Sequence, residues 1–117
     1  MAANRDYASL WDMVQAIKLI QEFVSPLSYE EYLESRRDQM AVERGLEILG
    51  EAARRVSEEF QQAHPEIDWR NTIGLRNVIA HRYEQVQQDR IWAIATVELN
   101  HLLAQLEPLL PENNSLL

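Results

Sequence analysis

Residues 76–83 read Arg-Asn-Val-Ile-Ala-His-Arg-Tyr, and this run holds one of only three histidines in 117 residues. A guanidinium can grip a phosphate through two parallel hydrogen bonds. An imidazole can take or give a proton near neutral pH. Asn77 can orient an imidazole or hold a phosphate oxygen, and Tyr83 adds a hydroxyl. Together these groups can cleave RNA without a metal. The neighbouring 2′-hydroxyl attacks, His81 serves as base or acid, and Arg76 neutralises charge on the phosphorane oxygens. The product would be a 2′,3′-cyclic phosphate. One chain supplies one such histidine, so a two-fold dimer could supply two across its interface.

On a helix advancing about 100° per residue, Leu75, Val78, Ile79 and Val86 fall on one side. Asn77 and His81 share a stripe on the other side, and Arg76 and Tyr83 share the stripe beside it. Small Ala80 lies between. Four polar groups could therefore line one arc. An Arg and a His five apart are also common on helices that do no chemistry, so a purely structural role stays open.

The elements that must position this run read as helices. Over about 5–24, Leu10, Met13, Ile17, Ile20 and Val24 alternate spacings of three and four, the mark of one apolar face. Pro26 stops that helix. Ser28-Tyr29-Glu30-Glu31 is a capping box, with Leu27 and Tyr32 placed as a hydrophobic staple. A longer helix is expected over about 37–62, where Leu46, Leu49, Ala53, Val56 and Phe60 repeat the spacing. Gly45 and Gly50 sit inside it at a cost of about 1 kcal/mol each, a place for another helix to approach closely. His64-Pro65 breaks it, and Asp68 or Asn71 can cap the next helix, about 70–84, which carries Arg76 to Tyr83. A last helix, about 88–107, puts Trp92, Ala95, Leu99, Leu102 and Leu106 on one stripe before Pro108.

No β-alternation, repeat or low-complexity linker interrupts this pattern. The expected fold is all-α, an antiparallel four- to five-helix bundle over residues 1–112, with 113–117 a frayed tail. Cysteine is absent, which excludes disulfides and thiolate metal sites. No signal-like or membrane-spanning stretch is present, so a cytoplasmic protein is expected. The net charge of −8 argues against non-specific binding to long polyanions. Ten of the eleven basic residues are arginine, suited to local phosphate contacts or to pairing with the abundant glutamates. His64 reads as a solvated loop residue and His101 as surface or rim. Trp11, Trp69 and Trp92 read as core or interface. Glu51 is either a buried partner for an arginine or exposed. No spacing suggests a zinc site or a phosphate-cradling glycine loop, so no metal or cofactor is expected.

The order Arg76-x4-His81-x-Tyr83, with Asn77 after the arginine, resembles the signature of the HepT-like family of HEPN-domain proteins. The likeness extends to residues 42–53, to Pro65–Trp69, to Ile73–Asn77 and to Trp92. It implies a dimeric helical bundle and a toxin-type endoribonuclease with its cleft at the dimer interface. Arg76 and His81 would be catalytic and Asn77 a polar helper. It also implies a partner, a minimal nucleotidyltransferase antitoxin that moves AMP from ATP onto Tyr83. AMP there would add bulk and negative charge beside Arg76 and repel RNA. RNA is then the substrate, with neither DNA nor membrane expected. The alternative is a non-catalytic helical subunit that binds nucleotide or substrate for the nucleotidyltransferase.

Overall fold

A computed structural model describes residues 2–75 and 85–111, with side chains over 5–75 and 87–111. The protein is all-helical, and no strand occurs among the described residues. Helix α1 spans Ala2–Val24, α2 Tyr29–Glu34, α3 Arg36–Arg54, α4 Glu58–Ala63 and α5 Trp69–Ile73. After residues 76–84, α6 runs over Gln85–Ala93. A π-helical turn, Ile94–Glu98, leads into α7, Leu99–Leu106, and a 3₁₀ turn over Glu107–Leu109. The expected tail, 113–117, lies outside the described residues.

The core forms on the faces of α1 and α3 that the three-four spacing predicts, and on the last helical stretch Ile91 and Ile94 are buried where Trp92, on the expected stripe, is only half-buried. Leu10, Met13, Ile17 and Ile20 of α1 are wholly buried, as are Val42, Leu46 and Leu49 of α3. From the last helical stretch, Ile91, Ile94, Leu99, Leu102 and Leu106 join them. Helix α1 packs chiefly on α3. At Gly45 an added Cβ would stand 2.5 Å from Ile20 Cγ1, so only a hydrogen fits between these helices. At Gly50 an added Cβ would stand 3.2 Å from the Ile73 carbonyl oxygen, so α5 lays its last turn directly on α3.

Side-chain caps set the helix boundaries. The box at Ser28 is formed: Ser28 Oγ accepts from the Glu31 amide at 3.1 Å, and Glu31 Oε1 accepts from the Ser28 amide at 2.9 Å. Ser35 closes α2 and opens α3, its Oγ accepting from the Asp38 amide at 3.2 Å. Asp68, not Asn71, caps α5 by accepting from the Asn71 amide at 3.1 Å.

Two expected helices are divided. The helix expected over 37–62 stops at Arg54 and restarts at Glu58. The cause is Asp6 on α1, only 4 % exposed. Its carboxylate accepts from the Ser57 amide and from the Ser57 hydroxyl, both at 2.8 Å. The Ser57 amide is thereby taken from the helical ladder, and Ser57 Oγ caps α4 by accepting from the Phe60 amide at 3.2 Å. The helix expected over 88–107 begins earlier, at Gln85, and widens into the π turn. There Thr96 Oγ1 donates back to the Trp92 carbonyl at 2.7 Å, a local bond that competes with the regular ladder.

Tyr32 is the largest wholly buried side chain among the described residues. Burial pushes its hydroxyl well above the ordinary tyrosine range, and the charge of Glu43 pushes it further.

Two outcomes test this packing. Gly45→Ala should gain about 1 kcal/mol in helix propensity but lose about 1–3 kcal/mol by overpacking against Ile20. The expected net result is a lower urea midpoint, and a rise would contradict the close approach. For Tyr32 the folded state holds the proton more tightly than the unfolded chain. Its contribution is full below the unfolded pKa of about 10 and is lost as pH rises beyond it. Stability should therefore fall above about pH 10, and less steeply in Tyr32→Phe. Equal slopes in urea titrations of the two proteins would refute the assignment.

Candidate functional site

Arg76, Asn77, His81 and Tyr83 lie outside the described residues, as do Val78, Ile79 and Ala80. The structure gives the frame around them. The chain enters from Leu75, 3 % exposed, just past the Gly74 cap of α5. It leaves into Gln85, the first residue of α6. The helix expected over 70–84 instead ends at Ile73, capped at Gly74, whose amide donates to the Arg70 carbonyl at 3.0 Å, so residues 69–73 form a short helix of their own before the chain reaches Leu75.

Beside the exit stands a buried chain of polar groups from three helices. Tyr32 Oη on α2 donates to Gln88 Oε1 on α6 at 2.6 Å. Gln88 Nε2 donates to Glu43 Oε2 on α3 at 2.9 Å. Tyr32 is 0 %, Gln88 4 % and Glu43 7 % exposed, so each polar atom must find its partner inside the protein. Gln39, one turn before Glu43, donates to the Tyr32 carbonyl at 3.1 Å and the Leu33 carbonyl at 3.0 Å, which ties the end of α2 to α3. Glu43 and Gln88 each make at least one further interaction, as do Tyr29, Arg36 and Glu51.

An aromatic layer covers this chain. Trp92, half-buried on α6, lies 5.1 Å from the Tyr32 ring and 6.0 Å from the Tyr29 ring, centroid to centroid. Tyr29 donates to Asp89. The sequence pattern had marked Trp92 and Tyr32 but passed over Gln88, Glu43 and Gln39. Their spacing places them on buried faces but does not say what they meet there. Gln39, Glu43, Leu46 and Gly50 repeat the three-four spacing, and Gln88 precedes Ile91 and Trp92 by three and four. Polar residues thus occupy positions on apolar stripes.

A cavity of about 340 Å³ opens beside the entry, between α5 and the π turn. Asn71, Thr72 and Leu75 form one wall, with Ile94, Val97 and His101 opposite. Val97 is 66 % exposed, and His101 lies at the rim as the sequence suggested. His64 differs from expectation. It is half-buried, its ring 4.5 Å from that of Phe60, and its Nδ1 lies 3.3 Å from Glu66. Trp69 is buried and donates to the His64 carbonyl at 3.0 Å, whereas Trp11 is 43 % exposed. Glu51 is half-buried and engaged. Several arginines pair with surface acids: Arg55 with Asp12 at 3.4 Å, Arg44 with Glu47 at 3.8 Å and Arg37 with Asp38 at 3.8 Å. Among the described residues no group of three or more His, Asp or Glu is arranged to hold a metal, and no helix is long and apolar enough to cross a membrane.

Comparison with known proteins gives this frame a context. Residues 13–109 match the family model described as "Ribonuclease HepT-like". A protein of Thermococcus cleftensis named "Probable ribonuclease HepT" is 35 % identical over 107 residues, covering 92 % of this chain and 96 % of the relative. "Putative RNase MJ1380" of Methanocaldococcus jannaschii is 29 % identical over 86 % of this chain and 92 % of its own length. "Putative RNase TTE0752" of Caldanaerobacter subterraneus is 29 % identical over 94 % and 96 %. No solved structure matches the chain. The family match spans both flanks of residues 76–84 and the polar chain beside them, and the protein belongs to the HepT-like ribonuclease family.

Proposed function

We propose that this protein is a metal-independent endoribonuclease, the toxin of a type VII-like toxin–antitoxin pair. The observation that carries this reading is the intact order Arg76, Asn77, His81, Tyr83 in a chain of the HepT-like ribonuclease family. His81 takes the 2′-hydroxyl proton or protonates the leaving 5′-oxygen, contributing about 10²–10⁴-fold. Arg76 neutralises the phosphorane oxygens, and Asn77 orients His81 or holds a phosphate oxygen. Cleavage leaves a 2′,3′-cyclic phosphate on one fragment and a 5′-hydroxyl on the other.

Both proton transfers call for a second histidine, so the working form is a homodimer with its cleft between protomers. Met40 and Ile48 on α3, 59 % and 39 % exposed, offer apolar surface for such an interface. The partner is a minimal nucleotidyltransferase that adds AMP from ATP to Tyr83. That modification places a phosphate beside Arg76 and excludes RNA. The net charge of −8 favours a second reading, a helical subunit that binds nucleotide or substrate for the transferase without cutting RNA.

The deciding experiment incubates cellular RNA with purified protein in EDTA and compares wild type with His81→Ala. Cleavage by wild type, reduced at least about 100-fold in the variant and leaving cyclic phosphate ends, is expected. Folded, unmodified wild type that leaves RNA intact would favour the subunit reading. Incubation with the transferase and ATP should add AMP mass to wild type but not to Tyr83→Phe. An equal mass gain in both would exclude Tyr83 as the acceptor.

A further inference from the structure

Helix α3 meets both ends of the stretch 76–84. At the entry, Gly50 receives the carbonyls of Thr72 and Ile73, which end α5. At the exit, Glu43 receives the Gln88 amide from the first turn of α6. Gly50 and Glu43 are seven residues apart, so they lie on one face of α3 about 10 Å from each other. One rigid helix thus sets the separation and direction of the two ends.

The exit anchor is made in an expensive way. A carboxylate, an amide and a phenol occupy positions where apolar side chains would hold the bundle at least as well. What such a chain adds is direction. Because Tyr32 donates to Gln88 Oε1, the amide is fixed with Nε2 toward Glu43, and a rotated or displaced α6 breaks both bonds. An apolar contact would tolerate such a slip.

We propose that Glu43, Gln88 and Tyr32 are positioning residues for ribonuclease activity, fixing α6 and thereby the end of the stretch that carries Arg76 and His81. This rests on the ribonuclease reading above. A catalytic pair displaced by about 1 Å can lose about 100-fold in rate, so a positional anchor acts on turnover before it acts on binding.

The test measures kcat and KM for RNA cleavage by the full-length protein and its variants, with folding checked by circular dichroism. Glu43→Ala and Gln88→Ala should each lower kcat about tenfold or more, with KM changed less than about threefold. Glu43→Gln retains an acceptor for the Gln88 amide and should keep kcat within about threefold of wild type. The double alanine variant should be no slower than the slower single one, because both changes break one network. Tyr32→Phe removes a single hydroxyl; it should lower kcat severalfold, and it decides the matter if the alanine variants do not fold. Folded variants that cleave like wild type, or effects that multiply in the double variant, would overturn the proposal and leave the ribonuclease reading standing. If folded wild type does not cleave RNA, both fall together.

Discussion

The close approach of α1 and α3 at Gly45 is the constraint on which the bundle depends. Ile20 is wholly buried against a position that has room for a hydrogen but not for a methyl group. Interdigitation at this distance brings Leu10, Met13 and Ile17 onto Val42, Leu46 and Leu49 as one continuous core. Fully burying each such side chain contributes about 1.5–3 kcal/mol. Glycine inside a helix costs about 1 kcal/mol relative to alanine, and the packing it admits offsets that cost. With the two longest helices locked, α3 becomes a fixed rail for the shorter elements.

Polar residues on the core faces do a different job from the apolar ones. Asp6 reaches from α1 to Ser57, ends the long helix and starts α4. Gln39 holds the end of α2 on α3. The chain from Tyr32 through Gln88 to Glu43 ties α2, α6 and α3 at one point. In each case a hydrogen bond with one allowed geometry fixes where an element begins, ends or points. Apolar contact alone specifies this less sharply.

Charge follows a similar division. The chain is acidic as a whole, yet its basic residues are almost all arginine. On the surface, Arg44 and Arg55 stand beside carboxylates in exposed pairs that contribute little to stability, and exposed Arg37 stands beside the half-buried Asp38. A net charge of −8 gives little long-range attraction for a polyanion.

Residue types and spacing by themselves determined the helical class, the apolar stripes of α1 and α3 and the Ser28 capping box, and they marked Gly45 and Gly50 as places of close approach without saying to what. These depend on residues close in sequence or on a stripe that any packed helix must bury. The order of Arg76, His81 and Tyr83 also carried the resemblance to the HepT-like family, which the family match over residues 13–109 bears out. Only tertiary structure decided that the helix expected over 37–62 breaks at Ser57, since Asp6 is 51 residues away. It also decided that Glu43 is a buried hydrogen-bond acceptor for Gln88, 45 residues apart in sequence. Spacing puts Glu43 on the buried face of α3, but the partner that makes a buried carboxylate tolerable comes from another helix.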